Sequence, residues 1–192
     1  MSGVIGQAGN KSGTIGEHGK TWTLLHSEGA ASGENTVTVP LKRNDDKYFL
    51  YKVYINQWNT GNNDFFMRIF QDGDASVKTA GNYQYRIGQW SPDNSSVPLH
   101  STGASSIQIA NNADTTAVQN QWTEISIQSP ENTANYPQGI VHSTYNDDTG
   151  DVRHAFGSWL YKSAGALNSL QFYSENANSM YWESAKVYGL PK

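Results

Sequence analysis

Chemistry in this chain would have to come from its carboxylates and imidazoles, because it contains no cysteine. Without Cys there is neither a disulfide nor a thiolate metal site. Of the five histidines, His18, His26, His100, His142 and His154, only the last two lie on neighbouring segments, either side of the turn Asn146-Asp147-Asp148-Thr149-Gly150-Asp151. If those segments pair, His142 and His154 could face one another near Asp147 or Asp151, and two imidazoles with a carboxylate can hold a transition metal. Ordinary strand histidines are the simpler reading. The turn itself offers the oxygens that Ca²⁺ requires. Its spacing departs from an EF-hand loop, which places Asp at alternate positions before Gly and a Glu at the end. It reads as a hairpin connection whose Asp and Asn accept local hydrogen bonds, and Asp72-Gly73-Asp74 reads the same way. No metal and no cofactor is expected.

Glycoside hydrolysis needs two carboxyl groups held about 5 to 10 Å apart in a cleft. Glu124, Glu175 and Glu183 are the candidates, but no spacing puts two of them on one strand face. A Gly-x-Ser-x-Gly elbow, a His-Glu-x-x-His segment and a phosphate-cradling loop before a helix are all absent from the sequence. Catalysis is therefore not expected. Recognition is better supplied: aromatic residues make up 12% of the chain, with Tyr 11, Trp 6 and Phe 6. Tyr and Trp can stack on sugar rings or fill protein interfaces, while Asn, Gln and Asp bind hydroxyls. Candidate ligand or interface loops are Ser91 to Thr102, with Trp90, Asp93, Asn94 and His100, and Asn111 to Gln121, with Asn111 and Asn112.

The elements that would position these side chains are strands. Hydrophobic residues are 36% and charged residues 16% of 192 residues, and the remainder is rich in Asn, Ser, Thr, Gln and Gly. That is the composition of turns and polar sheet faces. Period-two alternation predicts strands at Thr21–His26, Thr36–Leu41, Tyr48–Trp58, Asp64–Gln71, Tyr83–Trp90, Ser105–Ala110 and Trp122–Ser129. Gly139–Tyr145 and Val152–Tyr161 form a hairpin, and Ser169–Tyr173 and Met180–Leu190 finish the chain. Ser91 to Ala104 reads as a long structureless segment. About ten short strands separated by turns predict an all-β antiparallel sandwich, jelly-roll-like, over residues 21–192.

Tyr48–Trp58 is apolar on both faces, which predicts a central strand. Leu50, Tyr54, Phe66, Phe70, Trp90, Trp159 and Trp182 fall opposite the likelier core positions. Those that do not pack under loops would form an exposed aromatic patch, either a subunit interface or a glycan-stacking surface.

Residues 1–20 are Gly-rich and polar, with two copies of one pattern, Gly3-Val4-Ile5-Gly6 and Gly13-Thr14-Ile15-Gly16. Fixing each backbone residue costs roughly 1–2 kcal/mol, which so few aliphatic side chains cannot offset. This segment reads as an extended docking arm, with Val4, Ile5 and Ile15 entering shallow pockets of a larger body. The formal net charge of −4, with no Lys/Arg cluster, argues against nucleic acid. No signal peptide and no apolar run of membrane length is visible, so a soluble protein that is not exported is expected.

Several segments together resemble the small β-sandwich virion proteins of tailed bacteriophages. They are the arm, the strand Tyr48-Phe49-Leu50-Tyr51-Lys52-Val53-Tyr54-Ile55, and Arg68-Ile69-Phe70-Gln71-Asp72-Gly73 followed by Tyr83-Gln84-Tyr85. The ending adds Leu170-Gln171-Phe172-Tyr173-Ser174, Asn176-Ala177-Asn178 and Lys186-Val187-Tyr188-Gly189-Leu190. Ser91 to Val118 departs from the family pattern, and the family supplies no catalytic residues. The resemblance implies a jelly-roll-like structural protein on a virion assembled in the host cytoplasm, as a homo-oligomer, with a trimer favoured. Its partner would be the major capsid protein, for a decoration or cement protein. Alternatively it would be tail proteins, for a tail-fibre or receptor-binding module that recognises host glycan. Under either reading, deleting residues 1–20 is expected to abolish co-sedimentation with particles while leaving the circular dichroism spectrum unchanged; retained co-sedimentation would rule out the arm as the anchor.

Overall fold

A computed structural model describes residues 21–34, 36–43, 47–59, 63–92, 96, 98–113, 121–128, 130–147, 149–175 and 180–192. The arm residues Val4, Ile5 and Ile15, and the loop residues Asp93 and Asn94, lie outside them. The chain is an all-β antiparallel sandwich, jelly-roll-like, in which thirteen strands are described. They are β1 (Thr23–Glu28), β2 (Ala31–Glu34), β3 (Thr36–Pro40), β4 (Tyr48–Asn59), β5 (Asn63–Gln71), β6 (Tyr83–Trp90) and β7 (Leu99–Ala104). The second half adds β8 (Ile107–Ala113), β9 (Gln121–Gln128), β10 (Gln138–Asn146), β11 (Val152–Tyr161), β12 (Leu167–Ser174) and β13 (Met180–Pro191).

Nine strands form a large sheet in the order β1-β13-β4-β9-β10-β11-β6-β7, with β2 also on β13. Four form a small sheet, β3-β12-β5-β8. The pleat sends alternate side chains to opposite faces. In β4 it buries Tyr51, Val53 and Ile55, while Lys52, Tyr54 and Asn56 are only half-buried on the far side. β9 does the same with Thr123, Ile125 and Ile127 against Trp122, Glu124 and Ser126. Opposite them, Phe65, Met67 and Ile69 of β5 and Leu170 and Phe172 of β12 close the core, with the Phe65 and Phe172 rings stacked at 5.9 Å.

Two buried tyrosines of the large sheet reach the small sheet with their hydroxyls. Tyr83 on β6 accepts from the Ile69 amide of β5 (2.9 Å) and donates to the Lys78 carbonyl (2.8 Å). Tyr145 on β10 accepts from the Asn111 amide of β8 (3.1 Å) and from Gln89 Nε2 (2.7 Å). Burial pushes the Tyr145 phenol up to about 12 and raises that of Tyr83 further, so both stay neutral and able to donate.

Some expectations need correction. Ser91 to Ala104 is not wholly a loop, because β7 occupies its end and pairs with β6. Leu99 is its buried apolar side chain, so an edge strand held by backbone hydrogen bonds left little hydrophobic pattern to read. β2 was missed for the same reason. Trp159 and Trp182 belong to the core, with exposures of 2% and 5%. A bulge between Trp182 and Ser184 shifts the alternation of β13 by one residue and turns Trp182 inward. Trp159 finds room beneath Gly139, where a Cβ would come within 3.0 Å of its ring.

The β10–β11 hairpin turn depends on Asp147. Its Oδ1 accepts from the Thr149 amide (3.0 Å), the Thr149 hydroxyl (2.6 Å) and the Asp151 amide (3.0 Å). Its Oδ2 accepts from Arg153 Nε (2.7 Å) and Nη2 (2.5 Å). Gly150 takes the positive φ of 85° that closes the turn. Burial works against the Asp147 charge, but these hydrogen bonds outweigh it and hold the pKa below the ordinary value. Such a carboxylate stabilises the fold above its unfolded value near 3.9, and the contribution is lost as pH falls through the lower folded value. Asp147→Asn is expected to cost about 2–3 kcal/mol at pH 7 in urea melts, and to show a flatter loss of stability below about pH 4 than the parent.

Candidate functional site

The outer face of the large sheet, opposite the small sheet, carries a row of aromatic rings. It crosses six adjacent strands: Tyr188 on β13, Tyr54 on β4, Trp122 on β9, His142 on β10, His154 and Phe156 on β11, and Trp90 on β6. Each ring touches the next. Tyr188 meets Tyr54 edge-on at 5.7 Å, Tyr54 meets Trp122 at 6.1 Å, and Trp122 meets His142 at 5.0 Å. His142 then meets His154 at 4.7 Å and Phe156 at 6.1 Å, and His154 meets Trp90 at 6.1 Å. With strands about 4.8 Å apart, five spacings make a row on the order of 24 Å long.

The row ends on an open platform. Gly88, two residues before Trp90 on the same face, has no side chain, and a Cβ there would come within 2.7 Å of the Trp90 indole. Trp90 therefore lies over Gly88 while 46% exposed. At the other end, Trp22, Tyr54, Trp122 and Tyr188 line a cleft of about 420 Å³ together with Asn56, Ser184 and Lys186. Aromatic walls with amide, hydroxyl and ammonium groups between them suit a ligand with both apolar faces and hydroxyls.

A polar pair lies among the rings. Lys52 Nζ lies 2.6 Å from Glu124 Oε1, which also accepts from Ser126 Oγ at 3.1 Å. The same ammonium sits 5.4 Å from the Trp22 ring centre and 6.0 Å from that of Tyr54. Burial alone would raise Glu124, yet the hydrogen bond and charge of Lys52 bring it below the ordinary range. A general acid for sugar hydrolysis is tuned the opposite way.

A second hollow of about 770 Å³ opens on the same face towards β7. Leu50, Ile140 and Leu160 supply its apolar surface, and Gln138, Arg86 and His100 supply polar groups. Register brings the last two together: Arg86 pairs across strands with His100 and, on its other side, with Ser158.

Of the residues singled out from sequence, Trp90 and His100 are at this face, but on β6 and β7 rather than in loops. Asn111 and Asn112 are on β8 of the small sheet, away from the row. The rings of His142 and His154 do meet across the hairpin, at 4.7 Å, as diagonal neighbours, since His142 is directly opposite Phe156 and His154 opposite Thr144. Asp147 is instead occupied by Arg153, and no group of three metal-ligating side chains occurs among the described residues. Trp122, His142, His154 and Phe156 lie on the consecutive strands β9, β10 and β11, but the register between β9 and β10 leaves no mark in the sequence, and the row is extended by β4, β13 and β6, which are not sequence neighbours of these strands.

No family model and no curated protein matches this chain. Among solved structures, the galectin LEC-6 of Caenorhabditis elegans is 10% identical over 84% of this chain and 94% of that one, with a TM-score of 0.39. The SPRY domain of human HERC1 is 9% identical over 80% and 87%, with a TM-score of 0.21. The Crh5 transglycosylase is 13% identical over 81% and 88%, with a TM-score of 0.16. These likenesses are too distant to bear on the site, whose reading rests on its own geometry.

Burial first, and the neighbouring His142 second, lower the pKa of His154. A histidine so lowered supports the fold above about pH 6.5, and that support is lost as pH falls through its folded value. His142→Gln is expected to raise the His154 midpoint towards 6.5 in an NMR titration; an unmoved midpoint would show that His142 exerts no field on it.

Proposed function

We propose that this chain is a structural, non-catalytic protein of a tailed-phage virion whose outer sheet face binds glycan on the host surface. The continuous aromatic row is the observation that carries the glycan reading. A pyranose has an apolar C–H face that packs on an aromatic ring, and hydroxyls around its edge that need donors and acceptors. The row offers rings at strand spacing, and Asn56, Ser184, Lys52 and Glu124 lie between or beside them. The virion setting rests on the resemblance of the arm, the β4 segment and the C-terminal segments to phage proteins.

A second reading, a capsid decoration or cement protein, is favoured by a different observation. Ile140, Val152 and Phe156 stand 45%, 51% and 49% exposed on β10 and β11. An apolar strip of this kind fits contacts between copies or with a capsid subunit, while residues 1–20 anchor the chain.

The readings separate in affinity electrophoresis through gels carrying soluble polysaccharides. The glycan reading expects retardation of the parent chain and a loss of up to about tenfold in affinity for Trp122→Ala, with melting temperature little changed, since one stacking ring is worth roughly 0.5–1.5 kcal/mol. A parent chain that migrates freely through every gel would leave only the decoration reading.

A further inference from the structure

We propose that the saccharide bound by this face is acidic, and that Arg86, beside His100, holds its anionic group. This inference rests on the glycan reading and specifies its substrate class.

The first support is the charge of the two hollows. The chain carries 17 Asp and Glu against 13 Lys and Arg. Yet among the described residues, neither the hollow of about 770 Å³ nor the cleft of about 420 Å³ is lined by a carboxylate. Their charged linings are Arg86 in one and Lys186 in the other. Glu124, which stands between them on β9, is neutralised by Lys52 at 2.6 Å. On the face that carries the aromatic row, Glu124 is thus present as one half of an ion pair, and the two hollows beside it are lined by cations. Such a face attracts an anionic polymer, while the remaining surface repels it.

The second support is the state of Arg86. The other two described arginines that face carboxylates are paired, Arg43 with Asp72 and Arg153 with Asp147, as are Lys52 with Glu124 and Lys78 with Asp74. Arg86 is exposed and has no hydrogen-bond or ion-pair partner among the described residues. Its guanidinium is a planar fork suited to two oxygens of one carboxylate or sulfate group. Cross-strand pairing puts the His100 imidazole on one side and the Ser158 hydroxyl on the other, so further donors flank the same point.

The third support is position. Arg86, Gly88 and Trp90 are alternate residues of β6 and share its outer face. Successive same-face residues are about 6.7 Å apart along a strand. A sugar stacked on the exposed ring of Trp90 or Phe156 therefore lies within a side chain's length of the guanidinium. Carboxylate and sulfate share the required chemistry, and the two are separated by experiment.

Binding of the full chain should be measured by affinity electrophoresis and calorimetry at physiological salt. The probes are alginate and polygalacturonate (carboxylate), dextran sulfate (sulfate), and laminarin and dextran (neutral). The expected result is that one acidic class binds at least about tenfold more tightly than the neutral polymers. Arg86→Gln should remove about that factor on the acidic polymer and leave any neutral binding unchanged, while Arg86→Lys retains part of it. Equal affinity of the parent for acidic and neutral polymers, or undiminished acidic binding by Arg86→Gln, overturns this inference and leaves the glycan reading standing. Failure to bind any polymer overturns both. Trp122→Ala distinguishes the contributions, since loss of stacking weakens acidic and neutral binding together.

Discussion

A sheet has two faces, and only one face of the large sheet here is covered. That constraint governs the rest of the molecule. Four strands of the small sheet seal the inner face, burying Tyr51, Val53, Ile55, Ile125, Ile127 and Val141. Strict alternation then fixes which residues point the other way, into solvent. On those positions the chain places Tyr54, Trp122, His142, Phe156 and Trp90 where a sandwich that only had to fold would carry Thr, Lys or Glu. These rings are half-buried against one another, or exposed at Trp90 and Phe156, with no sheet covering them, so they contribute less to the stability of an isolated domain than core rings do and their place is explained by what they contact.

The rings are held rather than left loose. Each edge-to-face or tilted contact restricts its neighbour, and Lys52 is fixed by Glu124 beside Trp22 and Tyr54. Lying over Gly88 gives Trp90 a single supported orientation. A platform ordered before its ligand arrives loses less side-chain entropy on binding than a set of mobile rings would. Behind it, the hydroxyls of Tyr83 and Tyr145 tie the sheets together, so the outer face is borne by a rigid body.

Much of the fold was legible because its signals are local. The apolar character of both faces of Tyr48–Trp58 predicted a central strand, and β4 lies between β13 and β9. The Asn146–Asp151 turn predicted a hairpin, and β10 pairs with β11 along its whole length. Trp182 was misread because a bulge, which no period-two pattern reveals, exchanges the faces of β13. β7 was misread as loop because an edge strand needs few apolar side chains when its partner strand supplies the hydrogen bonds. For the candidate site, the meeting of His142 and His154 could be anticipated from the hairpin, and Trp90 and His100 from their residue types alone.

The sequence by itself determined the class of fold, most strand positions, and an excess of aromatic residues beyond what a core requires. These are properties of neighbouring residues, set by pleat and turn chemistry. Only the tertiary structure decided that the excess forms one row. Strands β9, β10 and β11 follow one another along the chain, but β13, β4 and β6, which extend the row on either side, reach their neighbours from distant parts of the sequence. Their order is chosen by the packing of the inner face, and the alignment of the outer rings follows from it. The same ordering brings Ser158 of β11 beside Arg86, opposite the His100 that the following strand β7 supplies.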